Sequence, residues 1–313
     1  MTMPSVINLT EASLDQLRAF FDSFDIILSD CDGVIWYLEK PIPEAMKAVT
    51  MLQNIGKNLY LVTNNGTIRF NRYCEKMRQN GLDIKPDQVI NSSKVISWYL
   101  KKIQFTGEAF VIGSAALQER LIEDGITVMR GPPKVYDDDV TGTLRAVQDQ
   151  PSIKAVIVDF CPFFDWPKLA LAITCLQRKD VLYICGAQDE WVVHGLNKKV
   201  IGPGPLISII TKYSGRTPIE CAKPSEILRD YIMDTLDVKD PKRCLFIGDT
   251  INYDMKFGTM CGFQKLFVST GLDSIENATL NESTRPDFYV PSLELLQPII
   301  NSLYNSTNGK GEN

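Results

Sequence analysis

At 313 residues, 44% of them hydrophobic and 23% charged, the chain has an ordinary globular composition and room for about two domains of ~150 residues. A net charge of -5 supplies no basic stripe for nucleic acid. No apolar run reaches the ~18 residues a membrane-spanning helix needs, so neither nucleic acid nor a bilayer is an expected partner. Met1 to Phe24 mixes Glu11, Asp15, Arg18 and Asp22 into its apolar residues, unlike a signal peptide or a basic transit peptide, and reads as a helical lead-in starting near Thr10.

Ile26 to Ser29 reads as a buried strand that runs into Asp30-Cys31-Asp32-Gly33. Strand alternation puts the two acids on one side, at the sheet edge where open α/β folds bind ligands. A simple Asp-Gly turn is the competing reading, and this stretch alone favours it. Pro41-Ile42-Pro43 introduces a helix carrying Ala45, Val49, Leu52 and Ile55, closed by Gly56. A strand from Asn58 ends in Thr63-Asn64-Asn65-Gly66 ahead of an Arg- and Lys-rich helix to about Asn80, and another helix covers 93–102. A hydroxyl before a helix start suits a phosphate, although this stretch alone favours an ordinary Asx or Thr cap.

From about Gln104 the alternation continues as a separate unit. Strands are expected at 109–112, 126–129, 155–158 and 181–184, and helices at 115–124, 167–178 and 206–213, with an acidic connection around 131–142. A strand at 219–222 leads to Lys223-Pro224 and a helix at 225–236. The strand Cys244 to Ile247 then runs into Gly248-Asp249-Thr250-Ile251-Asn252-Tyr253-Asp254. Strands at 265–268 and 288–290, a terminal helix and a frayed tail at 304–313 complete the chain. The pattern predicts an α/β protein with a mostly parallel, Rossmann-like sheet over 1–103 and 217–313, and an inserted α/β unit at 104–216. Eight cysteines include no C-x-x-C pair, and several lie in apolar runs; buried free thiols and a cytoplasmic setting are expected.

Lysine at a strand end places a point charge at the ligand edge. Asp249 and Asp254 can hold a hard divalent cation through their oxygens, and a helix N-cap is the other reading of Asp254. Each signal is weak alone, but all four fall at strand ends in the order D-x-D, T, K, G-D-x-x-x-x-D. That ordered set resembles the haloacid dehalogenase-like phosphohydrolases along nearly the whole chain. Asp30-Cys31-Asp32-Gly33-Val34-Ile35-Trp36 and Thr63-Asn64-Asn65 are similar to the subgroup of phosphoglycolate, pyridoxal phosphate and 4-nitrophenyl phosphatases.

The resemblance implies an inserted cap at 104–216 and Mg²⁺ as cofactor. It implies Asp30 as nucleophile and Asp32 as general acid and base, with Asp30, the Asp32 carbonyl, Asp249 and Asp254 at the metal. Thr63, Asn64 and Lys223 would bind the phosphoryl group of a small phosphorylated metabolite, and a homodimer through the cap is expected. Departures are clearest in the cap. Relatives' T-N-x-D is Gly186-Ala187-Gln188-Asp189 here, V-G-x-D is Val158-Asp159-Phe160-Cys161, and the fourth motif carries Thr250, Asn252 and Tyr253 at altered positions. Asp189 is the expected cap contact to substrate. The single His194 lies in the cap, which disfavours a Ser-His-Asp hydrolase, and no G-x-G-x-x-G follows the first strand. A catalytically weak paralogue acting as a binding or regulatory protein is the alternative, kept open by the altered cap and Asn252.

Overall fold

The computed structural model describes residues 6–37, 40–132, 140–195 and 198–304, without the side chains of 193–195. The chain opens with β1 (Ile7–Asn8), α1 (Leu14–Asp22), β2 (Ile26–Ser29), the hairpin β3 (Trp36–Tyr37) and β4 (Lys40–Pro41), and α2 (Ala45–Asn54). Then come β5 (Asn58–Thr63), α3 (Phe70–Gln79), β6 (Val89–Asn91) and α4 (Ser92–Lys102). The middle comprises β7 (Glu108–Ile112), α5 (Ala115–Glu123), β8 (Thr127–Met129), α6 (Val140–Ala146), β9 (Ile153–Val158) and α7 (Trp166–Cys175). It continues with β10 (Leu182–Cys185), the hairpin β11 (Trp191–Gly195) and β12 (Lys198–Ile201), α8 (Gly204–Ser214) and β13 (Ile219–Glu220). The last part holds α9 (Glu226–Thr235), β14 (Cys244–Gly248), a π turn at Ile251–Met255, α10 (Lys256–Cys261), β15 (Gln264–Val268), α11 (Ile275–Ala278), β16 (Phe288–Val290) and α12 (Leu296–Tyr304).

Seven strands form the core sheet in the order β1-β16-β15-β14-β2-β5-β6, every pair parallel. Its centre is apolar on both faces: Ile27, Leu28, Leu245, Phe246 and Ile247 are at most 1% exposed. Burial of each such side chain stabilises the fold by ~1.5–3 kcal/mol. The second sheet, β13-β10-β9-β7-β8, is also parallel. One apolar cluster joins the two sheets. It runs from Leu28 and Val62 of the core through Val95 and Ile96 of α4 to Leu117 of α5 and Ile157 of β9. The expected α/β architecture with a second, inserted sheet is what forms.

Several elements differ from the sequence expectation. α1 starts at Leu14 rather than near Thr10, because Ser13 and Gln16 make a capping box, with Gln16 N donating to Ser13 Oγ and Ser13 N to Gln16 Oε1. β1 and β6 are short edge strands that the pattern did not announce. The strand before Lys223 forms as the edge of the second sheet, where Ile219 pairs with Ile184. Both edges of β14 are already taken by β2 and β15, so the core has no place for it beside β14. Most of the connection around 131–142, and all of the tail beyond Tyr304, lie outside the described residues, as does the side chain of His194.

Candidate active site

The core strand order reverses between β2 and β14. From β2 the chain moves outward to β5 and β6, and from β14 it moves the other way to β15 and β16. The crevice at such a switch point, beyond the strands' carboxyl ends, is where a ligand finds open backbone and loops. β2 delivers Asp30 there, β5 delivers Thr63 and β14 delivers Asp249. All eight residues singled out from the sequence (Asp30, Asp32, Thr63, Asn64, Asp189, Lys223, Asp249 and Asp254) line one cavity of about 460 Å³.

Lys223 organises the floor. Its Nζ donates to Asp30 Oδ1 at 2.7 Å and to Asp254 Oδ1 at 2.8 Å, and the side chain is almost wholly buried. Burial disfavours its ammonium, but the charges of Asp254 and Asp30 outweigh that and hold its pKa above the ordinary lysine value. Burial pushes the Asp30 carboxyl up; Lys223 pulls it back, while Asp254 and Asp32 add to the rise. Asp249 is also pushed well up, first by burial and then by Asp254 and Asp30.

Asp254 is fixed by the π turn. Its Oδ2 accepts Asp249 N and Thr250 N, each at 3.1 Å, and Thr250 Oγ1 at 2.7 Å. A helix N-cap was open as a reading of Asp254; instead Thr250 caps the turn, its Oγ1 accepting Asp254 N at 3.2 Å. Asp249 Oδ2 accepts Leu272 N at 2.9 Å, whereas its Oδ1 is buried with no hydrogen-bond partner.

The donor set fits a metal. Carboxylate oxygens of Asp30, Asp249 and Asp254 lie within 4.8 Å of one another, all three residues buried. Oxygen-only ligands suit a hard divalent cation, and the orphaned Asp249 Oδ1 has no other claim on it among the described residues. Glycines make the room. Gly33 has φ +89°, and a Cβ there would sit 2.6 Å from Asp249 Oδ2, so both conformation and space require glycine. A Cβ on Gly271 would come within 1.6 Å of the same oxygen.

Asn64 is engaged differently from a phosphate ligand. Its Oδ1 accepts Lys223 N at 2.9 Å, and its Nδ2 donates to Asp189 Oδ2 at 3.0 Å and to the Lys223 carbonyl at 3.3 Å. It therefore ties the cap to the core and sets the lysine backbone. Asp189, which burial pushes up and Asn64 pulls down, faces the core through this contact. Thr63 is buried, with Oγ1 accepting Asn65 N at 3.0 Å. The helix expected directly after it starts only at Phe70, because Asn65 Oδ1 captures Thr67 N and Oγ1 in a turn. Asp32 is half-buried, and Trp36 Nε1 donates to its Oδ1 at 3.0 Å. Asn252 is exposed and outside the cavity lining.

Sequence reasoning passed over two parts of the site. Thr250 was seen only as a departure from a family pattern, although a hydroxyl four residues before a buried acid was the available signal. Gly271, just past the end of β15, was signalled only by its place at a strand end.

Two family profiles match the chain, one described as haloacid dehalogenase-like hydrolase over residues 27–127 and one as HAD-hydrolase-like over residues 220–296. The chain belongs to the haloacid dehalogenase-like hydrolases. Strands β9 and β10 of the second sheet lie between the two matches, whereas β7 falls inside the first. Among curated relatives, glycerol-3-phosphate phosphatase of Mus musculus is 28% identical over 305 residues, covering 92% of this chain and 94% of that protein. Phosphoglycolate phosphatase 2 of Arabidopsis thaliana is 28% identical over 287 residues, covering 90% of this chain and 95% of that one. A solved glycerol phosphate phosphatase from Mycobacterium tuberculosis, in complex with magnesium, shares the fold with TM-score 0.72 and 20% identity, covering 88% of this chain and 77% of that one. The expected enzyme class, phosphoric monoester hydrolase, holds.

Proposed function

We propose that this hydrolase is Mg²⁺-dependent and removes phosphate from a small phosphorylated metabolite through an aspartyl-phosphate on Asp30. The observation that carries the reading is Asp30 itself: a buried carboxylate at the switch-point crevice, held by Lys223 beside the orphaned oxygen of Asp249. A carboxylate oxygen of Asp30 attacks phosphorus, and the phosphorus–ester oxygen bond breaks. Asp32 gives its proton to the leaving oxygen, then takes one from the water that attacks the aspartyl-phosphate, releasing inorganic phosphate and restoring Asp30. Trp36 Nε1 on Asp32 Oδ1 fixes the orientation of that acid.

Lys223 and Thr63 bind the phosphoryl oxygens. Asn64 acts one step back, orienting Lys223 through its backbone. When bound, Mg²⁺ supplies positive charge that keeps the nucleophile ionised and offsets charge on the phosphoryl group. Asp30, Asp249 and the Asp32 carbonyl would hold it, while Asp254, both of whose oxygens already accept donors, anchors Lys223 and the loop. The core-to-cap boundary at 103–104 belongs to the same reading, whereas the return to the core falls after β13 rather than at 216–217, since Ile219 and Glu220 pair in the second sheet.

Support for a small substrate comes from the cavity's volume and from relatives named for glycerol-3-phosphate and phosphoglycolate. A cytoplasmic setting is supported by seven buried free cysteines, which a reducing compartment preserves. A homodimer through the cap is supported by Phe163 and Trp166, 79% and 55% exposed, and sedimentation analysis tests it.

The deciding experiment is phosphate release from 4-nitrophenyl phosphate with and without Mg²⁺. We expect metal-dependent turnover that Asp30→Asn lowers by about 10³-fold or more. Substantial Mg²⁺-dependent hydrolysis by Asp30→Asn refutes the nucleophile assignment. A wild-type protein that shows no turnover and fails to bind beryllium fluoride would leave only the binding-protein alternative.

A further inference from the structure

The cavity is charged at its floor and apolar on its walls. Lys223 is its only cationic lining residue among those described, and two carboxylates already engage that ammonium. Above the floor the walls are Phe160, Trp191, Val192 and Val200 from the cap, with Tyr253 and Leu272 from the core. The phenol of Tyr37 also lines the cavity, but its hydroxyl donates to the Thr270 carbonyl, leaving the ring as its contribution. Lys199 Nζ lies over the Trp191 ring, 4.4 Å from its centroid, and Arg69 is paired with Glu119.

A substrate enters with its phosphate on the floor and the rest of the molecule between these walls. A second anionic group there would be stripped of water and meet no cation among the described residues beyond the engaged Lys223. An aromatic or aliphatic body would instead bury its surface against Trp191, Tyr253 and Phe160. We propose that the preferred substrates are phosphate monoesters of uncharged phenols or apolar alcohols, and that esters bearing a carboxylate on the leaving group are disfavoured. The inference rests on the phosphatase reading above and narrows it against the phosphoglycolate named for one relative.

The test measures phosphate release by the full-length protein with Mg²⁺ from phenyl phosphate and from phosphoglycolate. Phenyl phosphate is expected to have the higher kcat/KM by about tenfold or more, the scale a pocket of this kind discriminates. Equal or reversed preference overturns the inference and leaves the hydrolase reading intact. Release from neither ester overturns the inference, and turnover of 4-nitrophenyl phosphate then shows whether the hydrolase reading stands without it. Val200→Arg, at a half-exposed wall position, supplies the missing cation. It is expected to shift the kcat/KM ratio at least about fivefold toward phosphoglycolate. A folded Val200→Arg protein with an unchanged ratio counts against the inference.

Discussion

Lys223 sits between Asp30 and Asp254 with nearly equal distances to both, so it neutralises the nucleophile and the loop anchor together. Lys223→Met keeps the stem but leaves two buried carboxylates facing each other. We expect kcat to fall about 10²–10³-fold, as when one preorganised donor is removed. The melting temperature should fall as well, because the remaining charges lose their partner. Lys223→Arg should not restore activity: a planar fork cannot reproduce one point charge bridging two separate oxygens. Activity of Lys223→Met within threefold of wild type would remove the lysine from the mechanism.

Asp249 supports a prediction with opposite signs for two measurements. Its Oδ1 lacks a partner and its charge lies among Asp30 and Asp254, so without metal the ionised carboxylate opposes folding. Asp249→Asn keeps an acceptor for Leu272 N and removes the charge. The metal-free variant should therefore melt higher than metal-free wild type, by ~2–4 °C for each kcal/mol recovered. Saturating Mg²⁺ should stabilise wild type, by about 2.7 kcal/mol at a hundredfold excess over Kd, and leave Asp249→Asn nearly unmoved. Thermal melts with and without Mg²⁺ decide both points, and equal Mg²⁺ responses would show that Asp249 is no ligand.

At the scale of elements, the π turn at Ile251–Met255 explains why the second acid stands five residues after the first. Met255 N donates to the Thr250 carbonyl, and the wide turn folds Asp254 back over Asp249 N and Thr250 N. π turns of this kind occur at functional sites because they aim a side chain where a regular helix would not. Thr250→Val removes both hydroxyl bonds to Asp254 and should cost about 1–2 kcal/mol of stability while also lowering kcat. Thr250→Ser should recover both. If Thr250→Val lowers stability alone, the turn is a structural cap with no part in placing Lys223 through Asp254.

The long elements were legible because each buries one face against the sheets: β2, β5, β14 and the helices α2, α4 and α9 follow their apolar periodicity. β1 and β6 were not, since two or three residues carry no period, and their pairing depends on distant edges at Phe288 and Leu61. The hairpin β11–β12 was missed for another reason. Its Trp191, Val200 and Ile201 are substantially exposed, so burial alternation does not mark it. In the site, strand-end residues such as Asp30, Thr63 and Asp249 were readable from position. The role of Asn64 was not, because its partners Asp189 and Lys223 lie 125 and 159 residues away in sequence.

At the scale of the molecule, cap and core share apolar cluster residues and are tied by polar contacts that include Asn64 with Asp189, Ser92 with Asp159 and Arg69 with Glu119. The joint of Ser92 with Asp159 explains two of the cap departures at once. Where the resembled pattern has Gly and then Thr, this chain has Asp159 and Gly186, and a Cβ on Gly186 would lie 2.3 Å from Asp159 Oδ2. The acid just past the end of β9 occupies space that a side chain after β10 would need, so the two changes compensate.

Asp159 is 3% exposed. Its Oδ2 accepts Ser92 Oγ at 2.6 Å, and its Oδ1 accepts Phe160 N at 2.7 Å and Ala187 N at 3.3 Å. Burial pushes its pKa up to about 6 against these bonds, with the Asp189 charge adding to the rise. Below pH 3.8 the carboxyl is protonated both folded and unfolded, so it contributes no pH dependence. As pH rises from there to about 6 the unfolded chain releases the proton first, and stability falls; above 6 the penalty is complete and constant.

Asp159→Asn keeps the acceptor oxygen, and the Ser92 hydroxyl can turn to accept from its amide. The variant should gain on wild type steadily between pH 4 and 6, approaching about 3 kcal/mol at neutral pH as an upper bound. Urea unfolding at pH 4, 5, 6 and 7 measures the difference, in which the titrations common to both proteins cancel. Parallel stability profiles for the two proteins would mean that Asp159 is ionised at no net cost, and the joint between cap and core would then be a charged hydrogen bond rather than a strained one.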